Sequence, residues 1–325
     1  MAPNEPRTPG TLPPSPSRRE RVSEDSPAGI LDGSVTPQQI LRQVRRIEIK
    51  TRRLVDQVVA GEYHSTFKGQ GLEFDQVREY IPGDDVRTID WNVTARTGHP
   101  YIKTFVETRE LTVLLLVDCS ASTRTGPLAR TVAERQAELG ALLAFSAIRN
   151  NDKVGALFFT DRVDAFVSPR KGSHHALRLI RDLLFFRPRG RGTAIAPALD
   201  YLNRVQRRRA VVFLLSDFLT DGFDASLRLT ARRHELIPIR LVDPLVESLP
   251  AAGLACLRDG EDGTEQWVDT SNREVQRAYR AARLRHGDRI NRLFRTARCL
   301  PLEIPLDGDL VQPLRTYFHR RGTRR

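Results

Sequence analysis

Asp118, Ser120 and Ser122 place three oxygen-bearing side chains at every second position of the segment Asp-Cys-Ser-Ala-Ser. If the chain turns there, alternate residues point into one small space. One carboxylate and two hydroxyls suit a hard divalent cation such as Mg2+ or Mn2+, not the soft-ligand sets that zinc favours. Two distant segments supply matching groups. Residues 209–217 read Arg-Ala-Val-Val-Phe-Leu-Leu-Ser-Asp and deliver a second carboxylate, Asp217. Gly190-Arg191-Gly192-Thr193 precedes a helical pattern carrying Ile195, Leu199 and Leu202, which puts Thr193 at a helix start with its hydroxyl free. The plainer reading is that the aspartates cap loops and the hydroxyls satisfy backbone groups. Three segments that agree in chemistry favour a metal site.

The elements that must position these groups are strands. Residues 111–117, Leu-Thr-Val-Leu-Leu-Leu-Val, carry no charge, as expected of a strand buried on both faces at the centre of a parallel sheet. The end of such a strand is where open α/β sheets bind ligands. Around it, strands are predicted at 153–160, 163–168, 209–217, 236–242 and 298–304. Helices are predicted at 127–150, 173–186 (with Ser173 as N-cap), 193–206, 224–233, 272–295 and 310–320. Asp161-Arg162 leaves room only for a hairpin, hence an antiparallel edge. A small hairpin is expected at 258–268 around Gly260-Glu261-Asp262-Gly263. Strands alternating with helices give an α/β fold with a mostly parallel sheet.

The chain before residue 111 has a different texture. Residues 1–28, rich in Pro, Ser, Glu and Arg, predict a disordered tail. Residues 36–61 read as a helix opened by Thr36, Pro37 and Gln39, with Arg42, Arg45, Arg46, Arg52 and Arg53 on its polar face. Residues 62–110 alternate short β-like pieces (73–80, 89–95 and 101–108) with glycine turns, a β-rich subdomain ahead of the main domain at 111–322. Its acids Asp84, Asp85 and Asp90 lie among Arg78, Arg87 and Arg96, which points to ion pairs rather than an acidic metal cluster, and Trp91 is expected in the core.

Other chemistries find little support. Ser120 lacks the Gly-x-Ser-x-Gly elbow of the hydrolases, and no Gly-x-x-x-x-Gly-Lys-Ser/Thr loop exists to cradle a nucleotide. Asp118 has no second aspartate at position 120, which an aspartyl-phosphatase of the haloacid dehalogenase type would supply. His174-His175 are neighbours on a predicted helix and face different ways, so they read as surface residues. The three cysteines, Cys119, Cys256 and Cys299, are odd in number and far apart, which fits a reducing cytosol. No apolar run reaches the ~20 residues a membrane helix needs, and the N-terminus has no apolar signal-peptide core. The expectation is a cytoplasmic protein without a membrane span. The net charge of +12 raises nucleic-acid binding as an alternative. Yet only 5 of the 52 basic residues are lysine and the arginines are interleaved with acids along the whole chain, so charge alone carries that reading. A metal-dependent hydrolase using the same loops is the other alternative.

Two resemblances sharpen this picture. Asp118, Ser120, Ser122, Thr193 and Asp217, in that order on three loops, resemble the metal-ion-dependent adhesion site (MIDAS) of von Willebrand factor A domains. The resemblance implies that the two serines and the threonine coordinate Mg2+, that the aspartates act largely through water, and that one position stays open for a carboxylate of a partner. The longer run Arg-Glu-Tyr-Ile-Pro-Gly-Asp-Asp-Val-Arg-Thr-Ile-Asp-Trp-Asn-Val-Thr-Ala-Arg at 78–96, followed by the Asp-x-Ser-x-Ser strand, is similar to a bacterial family of unknown function, number 58 in its series. Arg124 departs from that family, where an apolar or aromatic residue often stands. Members carry a von Willebrand A-like domain and are commonly encoded beside MoxR-type AAA+ ATPases. That resemblance implies a non-enzymatic protein-binding module with bound Mg2+ or Mn2+. Its implied partners are a MoxR-type ATPase and a client protein bearing an acidic residue.

Overall fold

The computed structural model describes residues 42, 44–49, 51, 73–106, 110–124 and 131–322. The tail expected at 1–28, the segment 62–72 and most of the helix expected at 36–61 lie outside the described residues. Residues 42, 44–49 and 51 are helical, and Val44 is buried in the main core with Ile47 packed against it.

In chain order the described elements are β1 (Glu73–Glu79), α1 (Trp91–Thr97), β2 (Tyr101–Val106), β3 (Thr112–Asp118), α2 (Val132–Arg149), β4 (Lys153–Phe159), β5 (Val163–Arg170), α3 (Ser173–Phe185), α4 (Ile195–Val205), β6 (Val211–Ser216), α5 (Asp224–Arg233), β7 (Glu235–Val242), α6 (Pro244–Glu247), β8 (Leu254–Arg258), β9 (Glu265–Asp269), α7 (Arg273–Thr296), β10 (Leu302–Pro305) and α8 (Val311–Gly322). Six strands form one sheet in the order β10-β7-β6-β3-β4-β5, parallel throughout except for the antiparallel edge β4/β5. The expected α/β architecture is therefore observed, with β3 interior and its apolar run paired to β4 on one side and β6 on the other.

Period-2 alternation of β3 divides the molecule into two cores. Val113, Leu115 and Val117 face one side with Leu139 and Leu143 of α2, Leu179 of α3, and Leu314 and Phe318 of α8. Leu114 and Leu116 face the other with Leu199 of α4, Leu227 of α5, and Ile290 and Phe294 of α7. Each fully buried side chain of this kind contributes about 1.5–3 kcal/mol. A strand sandwiched between two helical layers cannot place a polar group within its length, so its chemistry is displaced to its end. The chain leaves β3 for α2 on one face and reaches β6 from α4 on the other, so the carboxyl ends of β3 and β6 flank the crevice where the topology switches.

Local signals account for most boundaries. Thr131 and Glu134 form a capping box that starts α2; residues 125–130, expected to begin that helix, lie outside the described residues. Arg135 of α2 is buried and donates from Nε to the Pro305 carbonyl at 3.1 Å and from Nη2 to the Gly308 carbonyl at 2.9 Å, tying α2 to the end of β10. Three local expectations are corrected. The strand expected at 89–95 is helix α1. The Asp90 carboxylate accepts from the Asn92 and Val93 amides at the helix start, Gly98 closes the other end in the left-handed region, and this pair of caps outweighs local β propensity. Trp91, expected in the core, is 70% exposed. Ser173 is the first helical residue and not the cap, because the preceding Gly172 takes φ 96°, and no side chain caps α3. The ion pairing expected around residue 84 is present, with Arg78 donating two hydrogen bonds to Asp84 at 2.9 and 2.7 Å.

His234, between α5 and β7, is 2% exposed, and neither ring nitrogen has a hydrogen-bond partner among the described residues. Burial, reinforced by Arg233 and Arg209, lowers its pKa to about 4. The folded state then keeps the ring neutral where the unfolded chain, titrating near 6.5, protonates it. Its contribution is complete above pH ~6.5 and is lost as the pH falls toward 4, by about 1–3 kcal/mol. His234→Leu is expected to flatten this acid-side loss. The check is the difference in urea midpoint between pH 7 and pH 5, which should be smaller in the variant than in the wild type.

Candidate functional site

Asp118 ends β3 with no solvent exposure. Its Oδ1 accepts from the Ser120 amide at 3.0 Å and its Oδ2 from the Ser216 hydroxyl at 2.6 Å. Both oxygens are thus committed to orienting neighbours. Ser216, the last residue of β6, also accepts from the Phe218 amide at 3.1 Å, so one hydroxyl joins the ends of the two central strands. Ser216 is not marked by residue spacing along the chain. The Ser-Asp ending of the second strand was its only signal, and its partner is 98 residues away in sequence.

Beyond Asp118 the chain turns through residues 121–124, a single 3-10 turn held by the Ser120 carbonyl, which accepts from the Thr123 hydroxyl at 2.7 Å. The turn makes alternate side chains converge: Ser120 Oγ and Ser122 Oγ lie 3.1 Å apart. Cys119 points into the core, and burial raises its thiol well above the ordinary value. Thr193 is brought alongside by backbone contacts between loops. The Ala121 amide donates to the Arg191 carbonyl at 2.9 Å, and the Ala194 amide donates to the Thr160 carbonyl at 2.9 Å. The Thr220 hydroxyl donates to the Thr193 carbonyl at 3.0 Å. Gly190 has no room for a side chain, since a Cβ there would stand 2.2 Å from Thr160 Oγ1 and 1.9 Å from Asp161 Oδ1. Helix α4 starts at Ile195, two residues beyond the start expected from the sequence. The Thr193 hydroxyl, expected to be free, donates to Glu261 Oε1 of the loop between β8 and β9. Glu261 entered the sequence reading only as part of a hairpin turn.

Asp217 follows β6, and its Oδ1 accepts from the Leu219 amide at 3.0 Å. The next residue, Phe218, has φ 58°, a region costly for a bulky side chain. Its ring is fully buried edge-on to Phe294 at 5.2 Å, and its carbonyl accepts from His286 Nε2 at 2.8 Å. Helix α7 thereby holds the strained turn that presents Asp217.

The electrostatics of this crevice are unbalanced. Burial, and then the charge of Asp217, push Asp118 up to about 6. Burial also raises Asp217, with the Glu261 carboxylate adding to the effect. A cation between these groups would relieve both. Among the described residues no group of three or more His, Cys, Asp and Glu could hold a metal ion, so any cation here would depend on hydroxyl oxygens. The donor set fits a hard cation. Two neighbouring ligands at ~2.1 Å on an octahedral Mg2+ stand ~3.0 Å apart, and the Ser120 and Ser122 hydroxyls are already at 3.1 Å. Arg189 and Arg191 on the adjoining loop are exposed, as is Arg124, which reaches the Phe186 carbonyl. His174 is exposed, whereas His175 is half-buried against the Val154 carbonyl at 2.9 Å, so neither is placed as a ligand here.

Ser216→Ala removes a buried hydrogen bond to a carboxylate and leaves both Asp118 Oδ2 and the Phe218 amide without that partner. A loss of about 1–3 kcal/mol is expected. It should appear as a lower urea midpoint at unchanged m-value, and a midpoint equal to wild type would contradict this account of the junction.

Comparison with known proteins places residues 76–289 within the model of the family described as protein of unknown function DUF58. Uncharacterized proteins of Mycobacterium bovis and Mycobacterium tuberculosis are each 32% identical over 240 residues, 73% of this chain and 76% of theirs. Among solved structures, the conserved hypothetical protein BatB from Bacteroides thetaiotaomicron aligns over 66% of this chain and 99% of its own, at 14% identity and TM-score 0.42. A proximal thread matrix protein of the mussel byssus, solved with a zinc-occupied MIDAS motif, aligns over 41% of this chain and 38% of its own, at 15% identity and TM-score 0.33. Scores this low leave the fold to be read from the strand order itself.

Proposed function

The chain belongs to the DUF58 family, and from that premise we propose that it is a non-enzymatic, metal-dependent protein-binding module. Ser120, Ser122 and Thr193 hold Mg2+ or Mn2+ through hydroxyl oxygens. Asp118 and Asp217 supply negative charge, Asp118 chiefly by orienting Ser120 and Ser216. The observation that carries this reading is the hydroxyl pair of Ser120 and Ser122, 3.1 Å apart beside a fully buried carboxylate at the end of the central strand. A plain capping role leaves the mutual repulsion of Asp118 and Asp217 in place, whereas a cation would offset it.

When bound, the cation supplies an electrophilic position for a carboxylate oxygen of a partner. The protein's own part is geometric and electrostatic. Neutral hydroxyl ligands leave the double positive charge only partly balanced. The exposed Arg189 and Arg191, with Arg124, steer an acidic surface toward the crevice. The resemblance of residues 78–96 to that family implies a MoxR-type AAA+ ATPase as partner, and the proposed role is beside such an ATPase in the cytoplasm. There it would assemble or activate a protein complex whose client presents an Asp or Glu. No helix of the described residues is long and apolar enough to cross a membrane.

Mg2+ or Mn2+ at a hundredfold excess over its dissociation constant is expected to stabilise the native state by about 2.7 kcal/mol, read as a higher Tm. The double variant Ser120→Ala, Ser122→Ala should keep the fold, checked by circular dichroism, and lose the shift. An equal shift in that variant removes these serines from the site.

Bridging to a partner makes a separate expectation. Capture of the ATPase or client from native extract should drop by at least about tenfold in chelator, and likewise for Asp118→Ala with the fold verified. Undiminished capture under both conditions would reduce the metal to a clip between loops.

A further inference from the structure

We infer that Glu261, carried on the β8–β9 hairpin, is an internal carboxylate for the cation of this site, occupying through Thr193 the side that a partner's carboxylate has to take. The inference rests on the metal-binding reading above and goes beyond it by assigning a sixth residue and an intramolecular competitor.

The contact itself points that way. Thr193 Oγ1 donates its hydrogen to Glu261 Oε1, which leaves the lone pairs of that hydroxyl for a cation. Gly192 lies beside it, its Cβ position 3.5 Å from Glu261 Oε2, an ordinary contact distance. Without a cation, bringing a third carboxylate near Asp118 and Asp217 costs energy; a cation between them offsets that repulsion.

The hairpin is built to present this residue. Asp259 Oδ1 accepts from the Glu261 amide at 2.7 Å and from the Asp262 amide at 3.2 Å. The Asp259 amide donates to the Thr264 carbonyl at 2.8 Å, and Gly263, at φ 77°, donates back to the Asp259 carbonyl at 3.1 Å. Asp262 Oδ1 fastens the Thr264 amide at 2.8 Å. The turn is thus rigid within itself, and Glu261 is half-buried while Asp262 and Thr264 are exposed. The strands behind it bury little: Leu254 and Trp267 are each 68% exposed. A hairpin with so little core of its own gains from a polar anchor at its tip and can release it without unpacking the sheet.

The test is titration of the full chain with Mn2+ alone, followed by calorimetry or by the Mn2+ paramagnetic resonance signal, for wild type, Glu261→Gln, and the Ser120→Ala, Ser122→Ala pair. Amide exchange of residues 259–264 is measured with and without Mn2+, and exchange in the β3 and β6 amides verifies the fold. Glu261→Gln is expected to weaken Mn2+ binding by about tenfold or more. Mn2+ should slow exchange at 259–264 in the wild type and not in Glu261→Gln. If Glu261→Gln binds Mn2+ as the wild type does while the serine pair abolishes binding, Glu261 is only a hairpin clip and this inference falls, with the metal site left standing. If the wild type takes up no Mn2+, both fall together.

Discussion

A carboxylate that ends the central strand with no access to water is the constraint around which this molecule is arranged. An unpaired charge so placed is costly unless its oxygens are satisfied. Asp118 meets the requirement with a backbone amide on one oxygen and a hydroxyl on the other. Each partner has a structural consequence. The bond to the Ser120 amide bends the chain out of the strand, and the bond to Ser216 locks that bend to the end of β6. Removing the carboxylate would leave the ends of two central strands without their shared joint.

The sheet supplies what this joint needs. Two helical layers bury alternate residues of β3 on opposite faces, so the strand is rigid and its polar end is fixed in position. Opposite faces also mean that the chain departs from β3 and arrives at β6 on different sides, which opens the crevice between their ends. Four loops then close around it through direct backbone and hydroxyl contacts at Ala121–Arg191, Ala194–Thr160 and Thr220–Thr193. Helix α7 supports the turn at Phe218, where ring burial offsets an unfavourable backbone conformation. The strain sits next to Asp217, at the point where the site needs a carboxylate aimed away from the strand.

Function follows from an imbalance that these contacts leave in place. Buried carboxylates with raised pKa values converge on a patch of neutral hydroxyl oxygens, and the rim is lined with exposed arginines. The proposed function takes this imbalance as the seat of a hard cation and, through it, of an acidic partner. The Glu261 contact adds competition to the same chemistry, since a carboxylate already at hand sets a threshold that an incoming one has to exceed.

Much of this was written in local sequence. The uncharged run before Asp118 determined an interior strand, because only a position covered on both faces tolerates seven successive residues without charge. The Asp161-Arg162 link determined an antiparallel edge, because two residues cannot cross over. Oxygen side chains at alternate positions 118, 120 and 122 determined that a turn there would gather them. What tertiary structure alone decided were relations between distant segments and contests between local signals. Helix α1 replaced an expected strand, and Trp91 stayed in solvent, because caps at Asp90 and Gly98 outweighed local β propensity. Ser216 became the partner of Asp118 and Glu261 the partner of Thr193 across 98 and 68 residues of chain. Spacing along a sequence reports which side chains share a face of one element; which faces meet is set by the packing of the whole sheet and its helices.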